Sequence, residues 1–172
     1  MIGSRLFVSP GTVNLVNIGN DQITSIGSIN GVTGYLGGDC TFDKNNNRYF
    51  INTSEGIKVI NATNGSIIST IPNQEPNGFL ITSIEYNPNN DRLIGVYASG
   101  NPDIIKSVNI STGIISNLST IPDFGNYNSG DCTFDVANNR YFINTSSGIK
   151  VINGSNGSLI STINDQDMVR CV

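Results

Sequence analysis

The chain has 172 residues, 13 acidic against nine basic side chains for a net charge of −4, 37% hydrophobic residues, and neither histidine nor tryptophan. That length suits one domain of roughly 100–200 residues with a real core. The missing histidine excludes imidazole bases, histidine-ligated zinc and haem and the Ser-His-Asp triad, and mild acidity with nine unclustered cations argues against a nucleic-acid groove or an anionic membrane surface as partner.

No apolar run approaches the roughly 20 residues of a membrane span, and Met1–Pro10 lacks the basic start and continuous apolar centre of a signal peptide. The Asn- and Ser-rich composition with few lysines favours an extracellular or cell-surface setting over a cytoplasmic one. Three cysteines, Cys40, Cys132 and Cys171, do not read as a disulfide framework.

The chain is a repeat. Gly38–Ile71 and Gly130–Ile163 agree at 28 of 34 positions, at an offset of 92. Val16, Asn17, Ile18, Ile23 and Ile29 recur at the same offset as Val108, Asn109, Ile110, Ile115 and Ile121. Arg5, Arg48, Arg92 and Arg140 open one strand in each of four repeats, spanning approximately 1–30, 38–73, 80–122 and 130–165, so each 92-residue unit holds two diverged halves of about 44 residues.

In chain order, the first repeat opens at Arg5 on a second strand and lacks an innermost one. The second repeat predicts strands over Cys40–Asp43, Arg48–Asn52, Ile57–Asn61 and Ser66–Ile71, separated by Asn, Gly, Ser and Thr clusters. Asp43–Asn47 turns the first strand into the second, and Asn64-Gly65 supplies the positive φ of a tight hairpin between the third and fourth. The third repeat places Asn87–Asp91 at the corresponding turn, and the fourth repeats the second with Asp135–Asn139 and Asn156-Gly157. Four antiparallel strands per repeat, apolar on both faces, make an all-β fold, a β-propeller of four-stranded blades. Either Met168–Val172 closes the first blade as its missing strand, or the chain is a piece of a longer propeller, or several chains complete a ring together; left open, that blade edge would invite self-association.

The strings NNRYFIN, GIKVIN and NGSIISTI, with the blade ends Ile68–Pro72 and Leu118–Pro122, resemble the propeller repeats of the YVTN and YncE-like surface proteins. The resemblance covers nearly the whole chain and implies a propeller. Its motif is structural, so it carries no catalytic residue with it.

Asp39 and Asp131 precede Cys40 and Cys132 where an innermost strand begins. In a four-blade ring they would face each other across the axis, where a hard cation such as Ca²⁺ would relieve their repulsion; the competing expectation is a strand-start Asp bound to backbone amides. Asp43–Asn47 and Asn87–Asp91 carry half of a Ca²⁺-loop pattern and read better as turns. Tyr35 and Tyr127 are the aromatics best placed for a sugar. The cysteines read as small buried side chains. Eight N-x-S/T sequons follow from the Asn- and Ser-rich composition and carry little weight.

Three functions compete. A non-enzymatic binding or scaffold module, with a protein or glycan as partner, leads because the near-duplicate repeats hold no odd-one-out cluster of reactive groups. A Ca²⁺-assisted lactonase-like hydrolase at the channel mouth and a multivalent lectin with two equal pockets are the alternatives.

Overall fold

The computed structural model describes residues 4–9, 12–17, 19–28, 35–72, 81–97 and 103–164. The closing strand expected at Met168–Val172, with Cys171, lies outside them. All the described regular structure is antiparallel β, with no helix among the described residues.

The first sheet is three-stranded: β1 (Ser4–Ser9), β2 (Thr12–Asn17) and β3 (Gln22–Ser28). The second holds β4 (Tyr35–Asp43), β5 (Arg48–Thr53), β6 (Gly56–Asn61) and β7 (Ile67–Pro72) in that order. The third holds β8 (Ile81–Asn87), β9 (Arg92–Tyr97), β10 (Asp103–Asn109) and β11 (Ile115–Ile121). The fourth holds β12 (Tyr127–Asp135), β13 (Arg140–Thr145), β14 (Gly148–Asn153) and β15 (Leu159–Ile163). One sheet per repeat, strands in chain order, is the blade pattern of a β-propeller.

In the second and fourth repeats the marking arginine binds the Asp that opens the first turn. Asp43 accepts the Asn45 and Asn46 N–H groups at Oδ1, and Asn46 Nδ2 and Arg48 Nε at Oδ2. Arg48 adds a second contact of 2.6 Å to the buried carboxylate. Burial alone would raise the Asp43 pKa, but the hydrogen bonds from Asn46 and Arg48 outweigh it and leave the group below its ordinary value. Asp135 and Arg140 repeat the arrangement at 2.7 Å, and there the Arg140 hydrogen bond lowers the carboxyl to about 2. Asn47, Asp91 and Asn139 close these turns at φ near 51–52°, a left-handed conformation that Asn and Asp tolerate.

The Asn-Gly hairpins are longer than a two-residue turn. Asn61 N–H bonds to Ser66 C=O and Gly65 N–H to Asn61 C=O, enclosing four residues, and Gly65 alone of the pair takes positive φ (71°). A two-residue type I′ turn needs both residues there. Asn61 is instead occupied as a turn acceptor, its Oδ1 taking the Thr63 N–H, and Asn109 and Asn153 do the same for Ser111 and Ser155.

The chain forms two compact units, one of residues 1–36 and 40–73, the other of 37–39 and 74–172. In the first, Val13 and Ile26 of the first sheet pack on Tyr49, Ile51, Ile60 and Ala62. Gly27 and Gly65 touch there: a Cβ on Gly27 would lie 2.8 Å from the Gly65 Cα. In the second unit, Ile94, Val96, Ile105 and Ile121 pack on Tyr141, Ile143 and Ile152. The same face of each even-numbered sheet is thus covered by the sheet before it.

Candidate functional site

A cleft of about 290 Å³ opens on the fourth sheet, lined by Asn126, Tyr127, Asp131, Asn144, Thr145 and Ser146. It unites two residues singled out from the sequence, Tyr127 and Asp131, both on β12. A register shift between Tyr127 and Cys132 interrupts the pairing of β12 with β13 beside it. Beyond the bulge Cys132 pairs with Ile143, which sets Asp131 opposite Asn144; Asn144 Nδ2 donates to Asp131 Oδ2 at 2.8 Å. Ser146 closes the rim, its N–H bonding to Asn126 C=O and its Oγ accepting the Asn126 N–H.

Tyr127 forms the apolar wall. Its ring meets Phe124 edge-on at 5.6 Å, and its hydroxyl shares a 3.0 Å hydrogen bond with Thr82. Burial pushes the phenol up to about 12, with the Asp103 and Asp39 charges adding to the rise and the Thr82 bond opposing it. Behind it, burial raises the Cys132 thiol far above its ordinary range, and the neighbouring Glu85 and Asp39 carboxylates raise it further. The Cys132 sulfur lies 3.8 Å from Glu85 Oε1. Tyr141 is wholly buried and donates to the Ser83 C=O at 2.6 Å; Ser83 itself stands at φ 52° within the β8 bulge. The Tyr127 phenol and the Cys132 thiol are therefore held protonated at neutral pH, which leaves neither a phenolate nor a thiolate there.

The paired Asp residues have different surroundings. Asp39, which groups with the second unit, is wholly buried and accepts the Ile84 N–H at 2.7 Å, whereas Asp131 is exposed. Among the described residues, no three His, Cys, Asp or Glu side chains converge as a metal cluster. Tyr35 pairs through its backbone with Thr53, and its side chain lies outside the described residues. Among the described residues the second sheet does not repeat this open lining: Asn52 and Thr53, the counterparts of Asn144 and Thr145, are wholly buried there. Sequence reasoning missed Asn126, Asn144, Thr145 and Ser146. Identical letters at positions 52–54 and 144–146 gave no sign that one copy is closed and the other open.

No family model and no curated protein matches the chain. Among solved structures it is similar to TolB from Acinetobacter baumannii, at 16% identity and a TM-score of 0.59 over 91% of this chain and 39% of that one. It is similar to a chain of the nidogen/laminin complex at 12% identity and TM-score 0.62, over 90% of this chain and 57% of that one. The third is oligogalacturonate lyase in complex with manganese, at 13% identity and TM-score 0.60, over 94% of this chain and 44% of that one. These likenesses establish the propeller fold, and the chain spans between about two-fifths and three-fifths of each of these longer chains.

Proposed function

We propose that this propeller is a non-catalytic binding module of the YVTN and YncE-like kind, and that it engages a protein partner through the open face of the fourth sheet around the cleft. The supporting observation is a broken symmetry. Two nearly identical sheets present the same residues, and only on the fourth are Asp131, Asn144 and the apolar side chains beside them accessible. Near the cleft Cys132 and Tyr127 are held neutral, and the Asp131 carboxylate is engaged by the Asn144 amide. A glycan is the second reading, favoured by an aromatic wall facing two amides and a carboxylate.

The test sets the wild type against Asp131→Ala in a lactone hydrolysis assay, with Ca²⁺ and with chelator, and on a glycan array. The proposal expects hydrolysis at the buffer rate in every arm. Chelator-sensitive turnover that Asp131→Ala abolishes would overturn it in favour of the hydrolase, and a saturable array signal lost in the same variant would move the partner from protein to glycan.

A further inference from the structure

We infer that Lys150 is the centre of an anion site on the covered face of the fourth sheet, and that the site takes a small carboxylate such as formate or acetate.

The second, third and fourth repeats each set a lysine three residues before the Asn that ends their third strand: Lys58 before Asn61, Lys106 before Asn109 and Lys150 before Asn153. All three are buried, at 7%, 5% and 7% exposure. Burying an ammonium is costly unless an opposite charge or a full set of hydrogen bonds replaces its water. Lys58 Nζ meets that need with Glu55 Oε2 at 2.7 Å, three residues back in the turn between β5 and β6. Lys106 Nζ stands 4.1 Å from the centre of the Tyr97 ring, whose face attracts a cation. Lys150 has neither. Ser147 occupies the place of Glu55, one of the few differences between two otherwise matching copies, and its hydroxyl donates to the Phe124 C=O at 3.1 Å. Among the described residues the Lys150 ammonium has one hydrogen bond, to Thr162 Oγ1 at 3.3 Å, and no carboxylate within ion-pair distance.

Three N–H donors belong to an ammonium, so two remain for what enters. Lys150 pairs with Ile143 on one side and Thr162 on the other, and Ile143 and Ile152 on the same face pack against Ile105, Ile121 and Phe124. In so apolar a setting an opposite charge is held more strongly than at the surface, and one carboxylate balances one ammonium through charge-assisted hydrogen bonds. The second repeat shows both the chemistry and the way in. There the balancing group is a carboxylate, and the Glu55 side chain that carries it is 50% exposed while the lysine is not, so the place it holds is reachable from solvent. With serine at that position, a carboxylate from solution can take the same place. The 7% exposure of Lys150 sets the size: it admits a short organic acid and shuts out the folded surface of a protein. Asn144 pairs with Ile149 and Lys150 with Ile143, so the two lie on opposite faces of the sheet. The site therefore goes beyond the binding reading and does not rest on it.

The experiment is thermal melting of the full chain against sodium formate up to about 100 mM, with ionic strength held constant by sodium chloride. The wild type should gain about 2 °C or more at the top of the range, and acetate should act alike. Lys150→Met should lose the gain. Ser147→Glu, which restores the internal carboxylate, should melt above the wild type without formate and no longer respond to it. Glu55→Ser makes Lys58 a copy of Lys150 and should add a second formate response. A wild type indifferent to formate, or a gain that Lys150→Met and Ser147→Glu both keep, overturns the site. A blocked peptide with a single glutamate that stabilises more than formate does would overturn the small-acid assignment and give the site to an acidic protein side chain. None of these results touches the hydrolysis and array arms, on which the binding-module reading stands or falls.

Discussion

Ile71 and Ile163 are the same residue at the same place in two nearly identical sequences, so substituting each by alanine isolates the effect of the covered face. Complete burial of an isoleucine side chain is worth about 1.5–3 kcal/mol, and truncation to alanine in a packed site costs about 2–5 because a cavity remains. Ile71, at 4% exposure, should lose about 3 kcal/mol. Ile163, at 44% exposure, has surrendered only about half of its surface and leaves no closed cavity, so its loss should be about 1 kcal/mol. Urea unfolding followed by far-ultraviolet circular dichroism at about 1 µM measures both, and the slope against urea should be the same in all forms if only stability changes. Equal costs at low concentration would refute the claim that the two sheets differ in what covers them.

Asp43→Ala strips a buried carboxylate from Arg48 and from the turn amides, and should cost about 3 kcal/mol in the same urea assay, more than Asp135→Ala at its half-buried counterpart. Because the folded pKa of Asp43 lies below its unfolded value of about 4, the stabilisation is complete above that value and is lost as pH falls through the folded pKa; Asp43→Asn should flatten that acid limb. Tyr127 gives the opposite limb. Its folded pKa of about 12 exceeds the unfolded 10.0, so stability should fall between those two values, with phenolate absorbance appearing late, and Tyr127→Phe should lessen the fall. Gly65→Ala meets both a φ of 71° and the Gly27 backbone 2.8 Å away, and thermal melting should report a loss of about 3 kcal/mol or more.

The blade architecture was legible because its determinants are local and repeated four times. Strand chemistry alternates with Asp-, Asn- and Gly-containing turns, and the Asp43–Arg48 pair lies only five residues apart. The strand boundaries agree within a residue for β5 to β7, but β4 begins at Tyr35 rather than Cys40, because a bulge lets a Gly-containing stretch remain paired at its far end. The hairpin type was misjudged since Asn-Gly alone does not say where the first hydrogen bond closes. The site was half legible. Tyr127 and Asp131 could be named from their place at the start of an innermost strand, but Asn144 and Ser146 could not, because their twins at 52 and 54 share their sequence surroundings. Burial on the second face depends on what lies against the sheet, and no window of sequence within the repeat encodes that.

Thiol labelling of Ile71→Cys and Ile163→Cys, in chains whose native cysteines are replaced by serine, tests the open face most directly. Under native conditions at low micromolar concentration, maleimide should modify the Ile163→Cys chain at close to the rate of an exposed thiol and leave the Ile71→Cys chain slower by orders of magnitude. Equal labelling of the two sites, or an Ile163→Cys site as slow as Ile71→Cys in the dilute chain, would mean that the fourth sheet has no open face.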